Sequence, residues 1–207
     1  MATQAVISAA DRARVRQAIA TAEAKTSGEI FAVVTGECED YRFIPILWAV
    51  LAAFIVPLPL IYLTQVPASL IWLAQVATFV VFAIVLSLPQ VKFLVVPRHV
   101  KREAARALAM QQFLAHGLHT TEERTGVLIF VALAERQAEI IADSGIAAKV
   151  DPAVWQEAMD RLVAEVKAGR FGEGLVAAIG AVGQTLERHF PHQPRDRNEL
   201  PDDLVVL

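Results

Sequence analysis

Residues 28–48 read GEIFAVVTGECEDYRFIPILW. Ile30 to Val34 is a continuous apolar run, the pattern of a strand covered on both faces. Then come three carboxylates and a cysteine, Glu37, Cys38, Glu39 and Asp40, and after Arg42 the chain has no Asp, Glu, Lys or Arg until Lys92. A strand that belongs inside an α/β domain thus opens directly onto sequence that belongs in a bilayer. The domain then resumes beyond it.

The uncharged stretch is long enough to cross twice. A spanning helix needs roughly 20 apolar residues; Phe43 to Leu63 supplies one run and Ser69 to Leu88 another. Between them lies TQVPA, with Pro67 as the breaker. Pro57 and Pro59 lack an N–H donor and predict a kink in the first run. Two buried core helices are the soluble alternative, but a domain of this size is too small to hide both. Residues 43–91 are therefore read as a transmembrane hairpin. Arg42 lies on one flank and Lys92, Arg98, Lys101, Arg102 and Arg106 on the other, while the turn has no basic residue. The positive-inside rule places both flanks, and so both termini, in the cytoplasm of a cell with this protein in its inner (plasma) membrane. No ionisable group lies within the spans, which argues against a transport pathway or proton relay.

The net charge of −3 leaves no basic footprint, so no nucleic-acid partner is expected. Cys38 is the single cysteine and excludes an intrachain disulfide. The first sixteen residues, MATQAVISAADRARVR, lack an apolar h-region, and no cleavable signal peptide is expected.

Outside the hairpin the chain alternates helix and strand. Ser8 to Lys25 reads as a helix capped by Ser8, with Asp11 at N3, Val15, Ala18, Ile19 and Ala22 inward and Gly28 beyond its end. Residues 98–117 form a second helix, with Val100, Ala104, Leu108 and Leu114 as its stripe. Val127–Leu133 and Ala138–Ala142 are strands joined by a short turn, hence an antiparallel hairpin. Asp151 caps a helix from Pro152 to about Lys167, ended by Gly169, and a last helix covers about Gly174 to Arg188. The expected organisation is a domain in two parts, residues 1–42 and 92–190, around the hairpin at 43–91, with a mobile tail at 191–207. The closing LVVL is expected to be a loose end rather than an edge strand.

Three stretches carry a resemblance. ISAADRARVRQAIATAEAKTSGEIFAVVT (7–35) resembles the opening helix and first strand of the TPM domain family. TGVLIFVALAERQAEIIADSGI (125–146) resembles that family's central hairpin, and VWQEAMDRLVAEVKAGRFGEGLVAAIGAVGQTL (154–186) its two closing helices. The resemblance implies an α/β/α sandwich around a small mixed sheet, here interrupted by the two-helix transmembrane hairpin. The family includes a thylakoid-lumen protein linked to photosystem repair and acid phosphatase activity, bacterial envelope proteins and an animal receptor accessory subunit; some members bind calcium. Two places depart from the pattern. Typical members have Asp-Asn-Gly where this chain has Arg124-Thr125-Gly126, and a Gly-Tyr-Gly-Leu-Glu-like loop where it has Ser144-Gly145-Ile146-Ala147-Ala148. Acidic groups are missing from both, so the family's metal and phosphatase residues do not carry over there.

Phosphate hydrolysis needs positive or metal charge at the phosphoryl oxygens and a placed nucleophile or base. Asp143, after a strand, and Asp151, before a helix, are the pair best placed to hold a divalent cation such as calcium or magnesium through oxygen ligands. Against that, Asp151 also reads as a helix cap and Asp143 as a turn residue. Glu29 reads as a solvated charge. Arg124 has either a phosphate or Glu122 and Glu123 as partners. His116 and His119, spaced i, i+3, offer a weak metal motif that Gly117 interrupts. Arg98, Lys101 and Arg102 are candidates for contact with anionic lipid headgroups. The expectation is a membrane-anchored interaction or assembly module whose partners are the lipid bilayer and another membrane or cytoplasmic protein. A metal-dependent, acid-phosphatase-like hydrolase is the alternative.

Overall fold

The computed structural model describes residues 7–193 and 199–207, and the chain divides into two compact units, Met1–Cys38 with Arg102–Leu207 and Glu39–Lys101. In the first unit, helix α1 (Ala9–Glu23) leads into strand β1 (Glu29–Thr35). Ser8 Oγ accepts from Asp11 N at 3.0 Å, while the Asp11 carboxylate accepts from Ser8 N at 3.3 Å. This reciprocal pair satisfies two of the N–H groups a helix start leaves open.

The second unit holds the apolar helices. α2 (Phe43–Ile55) and α3 (Pro57–Leu63) run on through Val56, whose helical backbone joins them, and α4 (Ala68–Ser87) returns. The expected disturbance falls just before Pro57, which takes the first position of α3 where its missing N–H does no harm. Phe43–Leu63 and Ala68–Ser87 are 21 and 20 residues long, enough to cross a membrane by length and composition. None of the residues in the apolar window of α4 is buried. A short helix absent from the sequence reading, α5 (Pro89–Val95), follows. It is held at the base of the hairpin. The Trp48 indole N–H donates to Val95 O at 3.3 Å, and the Tyr41 and Phe93 rings meet edge-on with centroids 6.0 Å apart. Asp40 lies 2.5 Å from Arg42 and 3.9 Å from Lys92.

Helix α6 (Arg98–Ala115) then leads through a turn to β2 (Gly126–Ala132) and β3 (Gln137–Ala142). The sheet order is β3-β2-β1-β4, with β1 parallel to β2 and β2 antiparallel to β3, as the short Leu133–Arg136 connection requires. A four-residue helix α7 (Ser144–Ala147), then α8 (Ala153–Lys167) and α9 (Phe171–His189), complete the helices. α9 begins three residues before the expected start. Its early glycines, Gly172 and Gly174, do not delay it.

Strand pleating explains the continuous apolar runs. Ile30, Ala32 and Val34 of β1, with Val127, Ile129 and Val131 of β2, face α1, α8 and α9 through Val15, Ile19, Leu162, Ile179, Val182 and Leu186. Their alternates Phe31, Val33, Leu128 and Phe130 face Ala105, Ala109 and Phe113 of α6. With helices on both faces, no alternation to polar residues is needed, and the fold is the expected α/β/α sandwich.

The chain's end corrects the reading of a loose tail. Leu204–Val206 is strand β4, parallel to β1 in the register Ala32↔Leu204 to Val34↔Val206, and Leu204 is buried. Thr26 and Pro191 form an isolated antiparallel bridge at the tail's start, and residues 194–198 of the expected mobile tail lie outside the described residues.

Candidate functional site

Of the sequence candidates, Glu29, Arg124 and Asp143 gather at the N-terminal ends of β1 and β2. Thr125 precedes β2; its Oγ donates to Ser27 O at 3.0 Å, and Glu29 N donates to Thr125 O at 3.1 Å. Arg124 has a left-handed φ of 57°, and its carbonyl accepts from Gly145 N at 3.1 Å. Position 145 has room only for glycine: a Cβ there would stand 2.6 Å from the carbonyl oxygens of Glu123 and Arg124.

Asp143 is nearly buried and stands at the N-terminus of α7, where its Oδ1 accepts from Ser144 N at 2.6 Å. The Arg124 guanidinium comes within 4.0 Å of Oδ2. Arg124 therefore faces Asp143 rather than Glu122 or Glu123. Asp151 stands one residue before the cap position, which Pro152 takes, and its Oδ1 accepts from Ala153 N at 2.8 Å at the start of α8. Each of the two expected cation ligands thus has a local backbone partner. Among the described residues, no group of three or more His, Cys, Asp or Glu is placed to hold a metal ion. His116 stacks against Phe31 with ring centroids 4.5 Å apart, Gly117 takes φ 71°, and His119 falls in a separate 3-10 turn (Leu118–Thr120), so the two imidazoles do not share a helix face. Cys38 N donates to Oε1 of the buried Glu135 at 2.9 Å, tying the end of β1 to the β2–β3 turn.

Glu29 overturns its expectation. It is buried, not solvated, because it opens a strand covered on both faces, and its Oε1 accepts from Glu199 N at 3.2 Å. Beside it stands a residue the sequence reading passed over. Glu23, the last residue of α1, accepts from Ile30 N at 2.7 Å. Burial pushes its carboxyl up to about 9, against the pull of the Ile30 N–H, and the charges of Glu29 and Asp202 push the same way. Glu23 is therefore protonated at neutral pH and bonds Asp202, which leads into β4. The signal was present: Glu23 lies four residues after Ile19, on the stripe α1 buries.

A second concavity lies between α1 and α9. This cleft of about 470 Å³ is floored by Ala18, Ala22, Val176, Gly180 and Gly183 and edged by Arg14, Lys25 and Glu187 among others. A Cβ on Gly180 would meet nothing within 4 Å. At the start of α6, Arg98 and Arg102 are exposed, whereas Lys101 is half-buried and donates through Nζ to Phe93 O at 3.0 Å.

The family model for the TPM domain matches residues 88–185. The match omits α1 and β1, although β1 pairs with β2 along its whole length, so the folded unit extends beyond it. Among solved structures, the chain is similar to the BA42 protein of the psychrophilic bacterium Bizionia argentinensis, with a TM-score of 0.61 and 20% identity over 97% of this chain and 95% of that one. At that identity the likeness concerns the fold. No curated protein matches the chain.

Proposed function

With a TPM domain over residues 88–185 as the premise, we propose that the chain is a membrane-anchored binding module, with its α/β unit and both termini on the cytoplasmic face. It works by holding another membrane or cytoplasmic protein beside the bilayer. The observation that carries this reading is the outward presentation of two helices of 21 and 20 residues, with apolar side chains such as Phe43, Leu63 and Trp72 largely uncovered by protein. Such a surface is stable only in a bilayer or against another apolar surface. The basic residues support the cytoplasmic orientation: six Lys and Arg flank the spans and none lies in the turn. The interaction role is favoured over hydrolysis by two features of the α/β unit. Asp143 and Asp151 each accept a backbone N–H at a helix start, and the α1–α9 cleft offers a small-residue lining that accommodates a partner's side chain.

The test has two parts. Reporter fusions at residues 1, 66 and 207 read topology; an external reporter at residue 207 sinks the cytoplasmic placement. Gly180→Arg fills the cleft from its open side without entering the core. On native gels of gently solubilised host membranes, wild type is expected in a complex larger than the chain, and Gly180→Arg is expected to run free of it. Wild type and variant migrating alike would refute the cleft as the docking surface. Metal-dependent phosphate release by the purified chain, lost in Asp143→Asn, would establish the hydrolase instead.

A further inference from the structure

We propose that the first turns of α6 form a binding strip for anionic phospholipid headgroups. This rests on the membrane reading above. Arg98, Arg102 and Arg106 are spaced i, i+4, i+8, which aligns them in one row with about 6 Å of rise between neighbours. All three are exposed. Among the described residues none of the three makes an ion pair, whereas Arg14, Arg16, Arg42, Arg124 and Arg170 all do. Over residues 98–108 the helix carries four Lys or Arg and one acid, Glu103. Glu139 of β3 also feels the row: burial pushes its carboxyl up, and Arg106 and Arg102 draw it back.

The level at which the row begins, at Arg98, is set within the second unit, Glu39–Lys101. Trp48, one turn into the first span, hydrogen-bonds the end of α5, and Phe93 of α5 packs on Tyr41. Aromatic side chains with a polar handle collect at the headgroup level of a membrane. α5 ends at Val95, and Leu94 on it is 83% exposed, as suits an interfacial helix. Arg98 follows three residues later, and the Lys101 ammonium bonds back to Phe93 O. Guanidinium groups on a helix that starts at that depth, each able to form a bidentate pair with a phosphodiester, match anionic headgroups in charge and geometry. A zwitterionic headgroup carries its own ammonium beside the phosphate and gives no net attraction.

The full chain is reconstituted in phosphatidylcholine vesicles, and spin-labelled phosphatidylglycerol and phosphatidylcholine are compared for association with it. Wild type is expected to prefer phosphatidylglycerol. R98Q/R102Q/R106Q is expected to bring the ratio toward one, with up to about fivefold lost per arginine, the fold-change that roughly 1 kcal/mol represents. R98K/R102K/R106K is expected to keep most of the preference, which separates charge from misfolding, and Glu139→Gln to increase it. Equal association of the two lipids with wild type overturns the proposal. So does a preference abolished by inorganic phosphate but not by chloride at matched ionic strength, since that marks a free-anion site. Alkaline carbonate extraction of host membranes separates this failure from that of the parent reading. A chain that stays in the pellet yet shows no lipid preference sinks only the headgroup strip, and a chain that is extracted sinks both.

Discussion

Replacing Glu23 with glutamine should stabilise the protein, and more so as pH rises. Glu23 has a folded-state pKa of about 9 against an ordinary value of 4.5, raised first by burial. Below 4.5 the carboxyl is protonated in both folded and unfolded chains, and its contribution to stability is fully present. Between 4.5 and 9 the unfolded chain releases the proton while the folded one keeps it, so stability is lost steadily as pH rises, and the loss levels off above 9. At about 1.4 kcal/mol per pH unit, the interval from 4.5 to pH 7 gives an upper bound of ~3.4 kcal/mol. Glu23 is only partly buried, and solvent screening reduces this to about 2 kcal/mol. Glutamine keeps the acceptor for Ile30 N, supplies an N–H toward Asp202 and never ionises. The expected result is a melting temperature ~4–8 °C above wild type near neutral pH for a chain of this size. The difference should shrink toward pH 5. Thermal melts of the full chain in detergent from pH 5 to 9.5, followed by circular dichroism, make the measurement. Glu139 is also raised by burial and contributes a slope of the same sign, so Glu23→Gln should flatten the pH profile without abolishing the slope. A variant no more stable than wild type at pH 8, with the pH slope unchanged, would refute the reasoning.

Three further outcomes follow from the geometry. Gly145→Ala should destabilise by about 2–4 kcal/mol, because its Cβ meets two carbonyl oxygens of the backbone, which cannot move aside as a side chain does; an unchanged melting temperature would contradict this. Replacing residues 43–91 with a short flexible linker should yield a water-soluble domain with a cooperative melt, since loop closure depends weakly on length and both core clusters lie outside those residues; an insoluble or unfolded product would show that the hairpin is part of the core. Calorimetric titration with calcium and magnesium should show millimolar or weaker binding, unaltered in Asp143→Asn with Asp151→Asn, and micromolar binding lost in that variant would reverse the assignment.

Much of the fold was legible because its signals are local. Ser8 and Asp11 sit three apart before an apolar stripe, and that spacing is the capping box itself. The uninterrupted run at 30–34 announced helices on both faces of the sheet. α5 went unread because seven residues are too few to show a period, and what holds it, Trp48 and Tyr41, lies some fifty residues earlier. β4 went unread for a related reason. A three-residue strand becomes one only by pairing with β1, and LVVL carries no record of that partner. Buried acids were the larger miss. Glu29 and Glu135 are polar by type, and only the fold shows that one opens a covered strand and the other is turned inward by the Cys38 N–H.

The corner at Arg124 shows how a departure from a family pattern acquires a physical meaning. From sequence, Arg124-Thr125-Gly126 was merely a place where acidic groups are lacking. In the fold, position 126 admits only glycine because a Cβ would lie 2.5 Å from Leu118 O, and the Thr125 hydroxyl donates to Ser27 O while its backbone N–H donates to Thr121 Oγ. Arg124 is left to face a nearly buried carboxylate whose Oδ2 has no hydrogen bond, from 4.0 Å away. A carboxylate oxygen without a hydrogen bond is costly to bury unless opposite charge lies nearby. Here the chain itself supplies that charge, as the Arg124 guanidinium. A divalent ion approaching Asp143 would have to displace or tolerate that charge, with Ser144 N already bonded to Oδ1. The guanidinium beside Asp143 therefore works against a divalent cation at this corner.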